Sequence, residues 1–130
     1  MRILFDTNVL IAAFLTRGQS FDIIKDAVYK HEVFYTDFIL EEFSRTVVVK
    51  FSAISPQARQ LAVSVIKKYL TCGVSASVSP SVCRDPDDDQ ILADAVTNHI
   101  DLLFTGDKDL LVLKKHQTIH ILSPNQYWDL

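Results

Sequence analysis

The sequence predicts an α/β domain, a three-layer α/β/α sandwich in which helices cover both faces of a parallel sheet. Short apolar runs alternate with amphipathic helical stretches from one end of the chain to the other. With 130 residues, 48% of them apolar, the chain has the size of one domain and enough hydrophobic side chains for a real core. Several acids also stand just past the apolar runs, and in an open α/β sheet the carboxyl ends of the strands line the ligand crevice.

Arg2 to Phe5 reads as a buried strand that runs straight into Asp6, and Val9 to Phe14 turns helical. Arg17-Gly18-Gln19 is a break. Ser20 is then the N-cap of a helix to about Lys30, with Phe21, Ile24, Ala27 and Val28 on one face. Glu32 to Tyr35 is a second strand, and a helix follows from about Asp37 to Lys50. Ser55-Pro56 opens the next helix, N-cap then proline in the first turn, which carries Leu61, Val65, Ile66 and Leu70. Gly73 to Val82, rich in Ser and Val, suits a strand or extended segment. Asp88 to about Asn98 is helical, Asp101 to Phe104 a strand, Asp107 to Lys115 a short helix, and Ile119 to Leu122 the last strand. Ser123-Pro124 caps a terminal turn whose Tyr127, Trp128 and Leu130 are expected to pack back onto the body. With no repeat and no linker, residues 1–130 are expected to form a single domain.

The formal charge of −3 lacks the basic footprint of a tight non-specific nucleic-acid binder. It does not exclude a nuclease, because carboxylates reserved for a metal make the total more acidic than the substrate surface. Cys72 and Cys83 have no CxxC spacing and no His partner at zinc-like distance, and read as small buried hydrophobes. Asp6 interrupts the N-terminal apolar run, so no signal peptide is expected, and nothing approaches the length of a membrane span. The expected setting is the cytoplasm.

Carboxylates gathered at strand ends repel one another unless a cation holds them, and oxygen-only ligands suit Mg²⁺ or Mn²⁺. Helical spacing ranks the candidates. On the helix from Asp37, Ile39, Leu40, Phe43 and Val47 form the apolar stripe; Glu42 borders it and Glu41 lies almost opposite. On the later helix the stripe is Ile91, Leu92, Ala95 and His99, with Asp88 inside its sector, Asp89 nearer its edge and Asp94 well away. Asp85 or Asp87 suits a capping role. Asp6 and Asp107 each follow an apolar strand. Thr7, Asn8 and Thr105 can hydrogen-bond these acids or cap the next helix, and for Thr7 capping is the expected role. Asp109 is either a further ligand or a helix-start acid. Lys108, beside Asp107, is the cation expected nearest a scissile phosphate.

Four blocks then combine: Leu4-Phe5-Asp6-Thr7-Asn8-Val9-Leu10, Leu40-Glu41-Glu42-Phe43, Arg84-Asp85-Pro86-Asp87-Asp88-Asp89 before Ile91-Leu92-Ala93, and Thr105-Gly106-Asp107-Lys108-Asp109-Leu110. In this order and spacing the chain resembles a PIN-domain nuclease over essentially its whole length, most closely the toxin components of bacterial toxin–antitoxin pairs. The resemblance implies a parallel sheet of about five strands and metal-ligand, catalytic roles for Asp6, Glu42, Asp88 and Asp107. Asn8 and Thr105 would be polar supports and Asp109 an outer member. It also implies Mg²⁺- or Mn²⁺-dependent cleavage of single-stranded RNA, an antitoxin partner and a homodimer, for which Phe14, Phe38, Val48 and Val49 offer apolar surface. The crowded run from Asp85 to Asp89 departs from the better-known toxins. The competing reading within the family is a catalytically silent module that binds RNA or an antitoxin.

Two other acidic-pocket folds fit less well. A phosphoacceptor receiver domain needs paired acids after the first strand and a phosphorylatable Asp ending a middle strand, yet here Asp6 stands alone and Thr105 ends the later one. A haloacid-dehalogenase-type phosphatase needs a second Asp where Asn8 stands.

Overall fold

The computed structural model describes residues 1–16, 18–76 and 85–130. Ile3, Leu4 and Phe5 are all buried, as befits a strand covered on both faces rather than one that alternates between core and water. That strand, β1 (Arg2–Phe5), lies in the middle of a six-stranded sheet. On one side follow β2 (Glu32–Tyr35) and β3 (Thr71–Cys72); on the other β4 (Leu102–Phe104), β6 (Ile119–Leu122) and β5 (Lys115–His116). Neighbouring pairs from β3 to β6 run parallel, and β5 pairs antiparallel with β6. The expected parallel sheet of about five strands is therefore present, with a two-residue antiparallel edge added.

That edge replaces part of a predicted helix. α6 (Lys108–Leu111) is a single turn and does not reach Lys115. Lys114 adopts a left-handed backbone at φ 58°, which turns the chain back so that Lys115 enters β5. Of the predicted Gly73–Val82 strand, the described residues 73–76 are not in a strand. Among the described residues the strand beside β2 is Thr71–Cys72, upstream of Gly73, whose N–H donates to the Tyr35 carbonyl at 2.7 Å. Residues 77–82 of the predicted segment, with Cys83 and Arg84, lie outside the described residues, as does Arg17, and Cys72 is exposed rather than buried as expected.

The helices begin where polar side chains satisfy their free N–H groups. Asp6 caps α1 (Thr7–Ile11), which widens into a π-helical turn over Ala12–Thr16. Thr36 caps α3 (Asp37–Lys50), and Ser55 caps α4 (Pro56–Tyr69). α2 (Gln19–Lys30) starts after Gly18, so Ser20 is not its cap. α5 (Pro86–Thr97) starts two positions before the expected Asp88, because Asp85 accepts from the Asp87 N–H at 2.9 Å and Pro86 suits the first helical position.

On α4 two apolar stripes run side by side. Packing selects Ala62, Ile66 and Leu70, and leaves Leu61 65% exposed, contrary to the sequence reading. His99 likewise leaves the α5 stripe. It stands beyond the helix end at φ 54°, exposed, while Ile91, Leu92 and Ala95 are buried. At the C-terminus, Ser123 and Gln126 form a capping box for a 3₁₀ turn over Pro124–Asp129. Tyr127 alone of the three expected residues is buried, edge-on to Phe104 at 5.8 Å, with its hydroxyl donating to Asp26 Oδ2 at 2.5 Å. Trp128 and Leu130 stay exposed, since so tight a turn directs only one residue in about three inward.

Candidate metal centre

β1 and β4 pair in register with Phe5 opposite Phe104, so Asp6 and Thr105 leave the sheet side by side at its carboxyl end. The chain proceeds from β1 through β2 and β3 on one flank, then returns to β4 on the other. The gap between β1 and β4 is thus a topological switch point, where an open α/β sheet forms its ligand crevice.

Asp6 is buried there. Its Oδ1 accepts from the Thr7 N–H and its Oδ2 from the Thr105 hydroxyl, both at 2.7 Å. Thr105 Oγ1 also accepts from the Asp107 N–H at 3.0 Å, so one buried hydroxyl fixes both acids. Asp107 caps α6 by accepting from the Asp109 N–H at 2.8 Å. Glu42 is half-buried on α3 while Glu41 faces solvent. The Glu42 Oε1 accepts from Thr7 Oγ1 at 2.5 Å. Thr7 therefore uses both of its donors on two different carboxylates and is not the cap expected of it, since Asp6 caps α1. The signal lay in its position next to Asp6, but its tie to Glu42 joins residues distant in sequence.

Asp88 enters from the first turn of α5, 7% exposed. One carboxylate oxygen each from Asp88, Asp107 and Asp109 lie within 4.8 Å of one another. Among the described residues, Asp88 Oδ2 is the one buried side-chain polar atom without a hydrogen-bond partner. An orphaned carboxylate oxygen inside a protein is costly unless something positive faces it.

The titration behaviour expresses the same crowding. Burial, reinforced by the charges of Asp107, Asp85 and Asp6 and by hydrogen bonding to Asp107, pushes the Asp88 carboxyl up to about 7. Burial also raises Asp6, and the Asp107 charge adds to it, against the lowering effect of the Thr105 and Thr7 hydrogen bonds. Glu42 is raised by burial and by Asp6 and Asp87, with Thr7 and Arg45 opposing. Carboxyls that resist ionising together accept a divalent cation readily once they lose their protons. The donor set is all oxygen and anionic, which fits a hard ion such as Mg²⁺ or Mn²⁺.

The remaining predicted residues divide. Asp109 joins the cluster. Lys108 is exposed at its rim on α6, and Asn8 is exposed on α1. Asp85 is a cap. Asp89, expected at the stripe edge, is buried, and so is Asp94, expected well away from the stripe. Asp94 finds its partners across the fold, in Thr36 and Ala76. A separate groove of about 890 Å³, lined by Phe14, Phe21, Val28, Tyr29, Tyr69 and Trp128 among others, is mostly apolar and shares no lining residue with the acids.

The class is an α/β domain with acids at the switch point of a mainly parallel sheet: Asp6 just past β1, Glu42 on α3, Asp88 on α5 and Asp107 capping α6. Asp88 and Asp107 group with Asp109, while Asp6 and Glu42 stand outside that group. The chain belongs to the PIN-domain family, whose model matches residues 2–109. No curated protein matches it. Among solved structures it is similar to VapBC2 from Rickettsia felis, bound to a DNA fragment from their promoter. The TM-score is 0.67 at 11% identity, over 93% of this chain and 97% of that one. It is also similar to VapBC-1 from nontypeable Haemophilus influenzae, with TM-score 0.64 and 13% identity over 96% and 99% of the two chains. FitAcB from Neisseria gonorrhoeae gives 0.56 and 11% over 98% and 99%.

Proposed function

We propose that this chain is a Mg²⁺- or Mn²⁺-dependent endoribonuclease that hydrolyses phosphodiester bonds of single-stranded RNA. The observation that carries the reading is Asp88 Oδ2, buried without a partner and grouped with Asp107 and Asp109. Asp6, Glu42, Asp88 and Asp107 would hold the ion, with Asp109 at the outer edge. When bound, such an ion offers a Lewis acid to a phosphate oxygen and lowers the pKa of water.

The protein's own part is preparation. Thr105 and Thr7 clamp Asp6 so that its carboxylate keeps one orientation. Thr7 does the same for Glu42. Asp88, whose carboxyl burial and neighbouring charges push up to about 7, would give up its proton where it held such an ion. Lys108, exposed on α6 beside Asp107, would meet the RNA backbone as a point charge.

In the cell the domain, one unit over residues 1–130, would act in the cytoplasm as the toxin of a toxin–antitoxin pair. Its likeness in fold to the VapBC and FitAcB structures supports that reading. Among the described residues no helix is long and apolar enough to cross a membrane. The apolar groove, with exposed Tyr29, Tyr69 and Trp128, offers an antitoxin segment a surface to cover. Exposed Val48 and Val49 on α3 offer one to a second copy; Phe14 and Phe38 are already partly buried against the core.

The test is cleavage of labelled single-stranded RNAs by the purified chain, with Mn²⁺, with Mg²⁺ and with EDTA. Metal-dependent cutting that falls by at least about 10²-fold in both Asp6→Asn and Asp88→Asn is expected. Cutting that survives unchanged in those variants would remove the site assignment, and no cutting by the wild type would favour the silent binding module.

A further inference from the structure

Asp94 is fully buried on α5 and lies outside the carboxylate cluster, yet each of its oxygens is bonded. Oδ2 accepts from the Thr36 hydroxyl at 2.7 Å. Oδ1 accepts from the Ala76 N–H at 2.7 Å and from Gln90 Nε2 at 2.9 Å. Thr36, also fully buried, is itself the cap of α3, its hydroxyl accepting from the Ile39 N–H at 3.3 Å. One buried hydrogen bond therefore joins α5 to the start of α3. Thr36 precedes Glu42 by roughly 9 Å of rise along the chain, and Asp94 follows Asp88 by the same amount, at about 1.5 Å per residue.

The clamp extends to a backbone segment. Gln90 Nε2 also donates to the Ala76 carbonyl at 2.8 Å, and Asn98 bonds both the N–H and the carbonyl of Val74 at 2.8 Å. Side chains of α5 thus pair with residues 74–76 as a neighbouring strand would. The approach is so close that a Cβ on Gly73 would lie 2.7 Å from Asn98 Oδ1.

We infer that Asp94 is a positioning residue for the metal centre: by bolting α5 to Thr36 it sets the separation of Asp88 from Glu42. The inference rests on the proposed metal reading. A carboxylate site binds its ion tightly only while its ligands are held within about 0.5 Å of the productive arrangement, and packed helices slide more easily than that unless something pins them. The Asp94–Thr36 bond is such a pin, in a place where neither residue touches the ion.

The test measures Mn²⁺ binding to the full chain by calorimetric titration, well below the melting temperature of each variant. Thr36→Val, which removes the hydroxyl and keeps the shape, is expected to bind Mn²⁺ at least roughly 10-fold more weakly, and Thr36→Ser to restore wild-type affinity. Asp94→Asn leaves the α3 cap in place but exchanges one acceptor oxygen for an amide; it is expected to weaken binding in the same direction and serves if Thr36→Val does not fold. Folded variants that melt earlier yet bind Mn²⁺ as tightly as the wild type would overturn the inference and leave Asp94 a purely stabilising residue. A wild type that binds no Mn²⁺ would overturn the metal reading and this inference with it.

Discussion

Asp88 sits where burial and the charges of Asp107, Asp85 and Asp6 all disfavour its ionised form. Its carboxyl titrates at about 7 in the folded chain, against about 3.9 in an unfolded one. Between these values the native state holds a proton that the unfolded state has released. The metal-free protein is therefore expected to lose stability as pH rises from roughly 4 through 7. Thermal melts in EDTA across that range check this, and Asp88→Asn should flatten the fall, because an amide has no charge to lose. A steeper fall in Asp88→Asn would assign the effect to other groups. Thr7 makes a second prediction at this scale. Thr7→Val removes the donor to Glu42 and is expected to cut metal-dependent RNA cleavage by about 10-fold or more, with Thr7→Ser close to wild type. Initial rates at saturating Mn²⁺ are the measurement.

At the scale of elements, start signals are local and ends are not. Ser55-Pro56 before α4 and the strand that ends at Phe5 could be read directly, because cap, proline and apolar run lie within a few residues. α6 ends at Leu111, and the chain turns into β5 through a left-handed Lys114, a residue type that carries no such signal. The phase of α4 was equally hidden, since the stripe through Leu61 and the one through Ala62 differ in what they meet, not in hydrophobicity. Asp94 misled for the opposite reason: a charge is expected in water, and only Thr36, Ala76 and Gln90 arriving from elsewhere in the fold make its burial tolerable. The junction they form is tight enough to test. Gly73→Ala places a Cβ against Asn98 and is expected to cost about 1–3 kcal/mol in urea unfolding.

The described residues form one core, with a group of acids at the carboxyl edge of its sheet. Phe104 stacks on Phe5 at 5.4 Å and meets Tyr127 edge-on, so it joins the sheet centre to the C-terminal turn. Phe104→Ala is expected to destabilise the fold by roughly 3–5 kcal/mol, read from the same urea titration. The acids give a further global readout. An ion that binds only the folded chain should stabilise it by about 2.7 kcal/mol at a hundred times its dissociation constant. Addition of Mn²⁺ is thus expected to raise the melting temperature of the wild type, with little effect on Asp88→Asn.

The sequence by itself determined the alternation of strands and helices and the helix starts at Ser55 and Ser123, since periodicity and short motifs are properties of neighbouring residues. Glu42 could be ranked above Glu41 because one helix turn suffices for that comparison. The tertiary structure alone decided the order of the strands, the edge pairing of Lys115–His116, the tie from Thr7 to Glu42, and the bond that buries Asp94 against Thr36. These are choices among partners far apart along the chain. They are settled by which surfaces close-pack and which buried polar groups find one another, and neither quantity exists until the chain has folded.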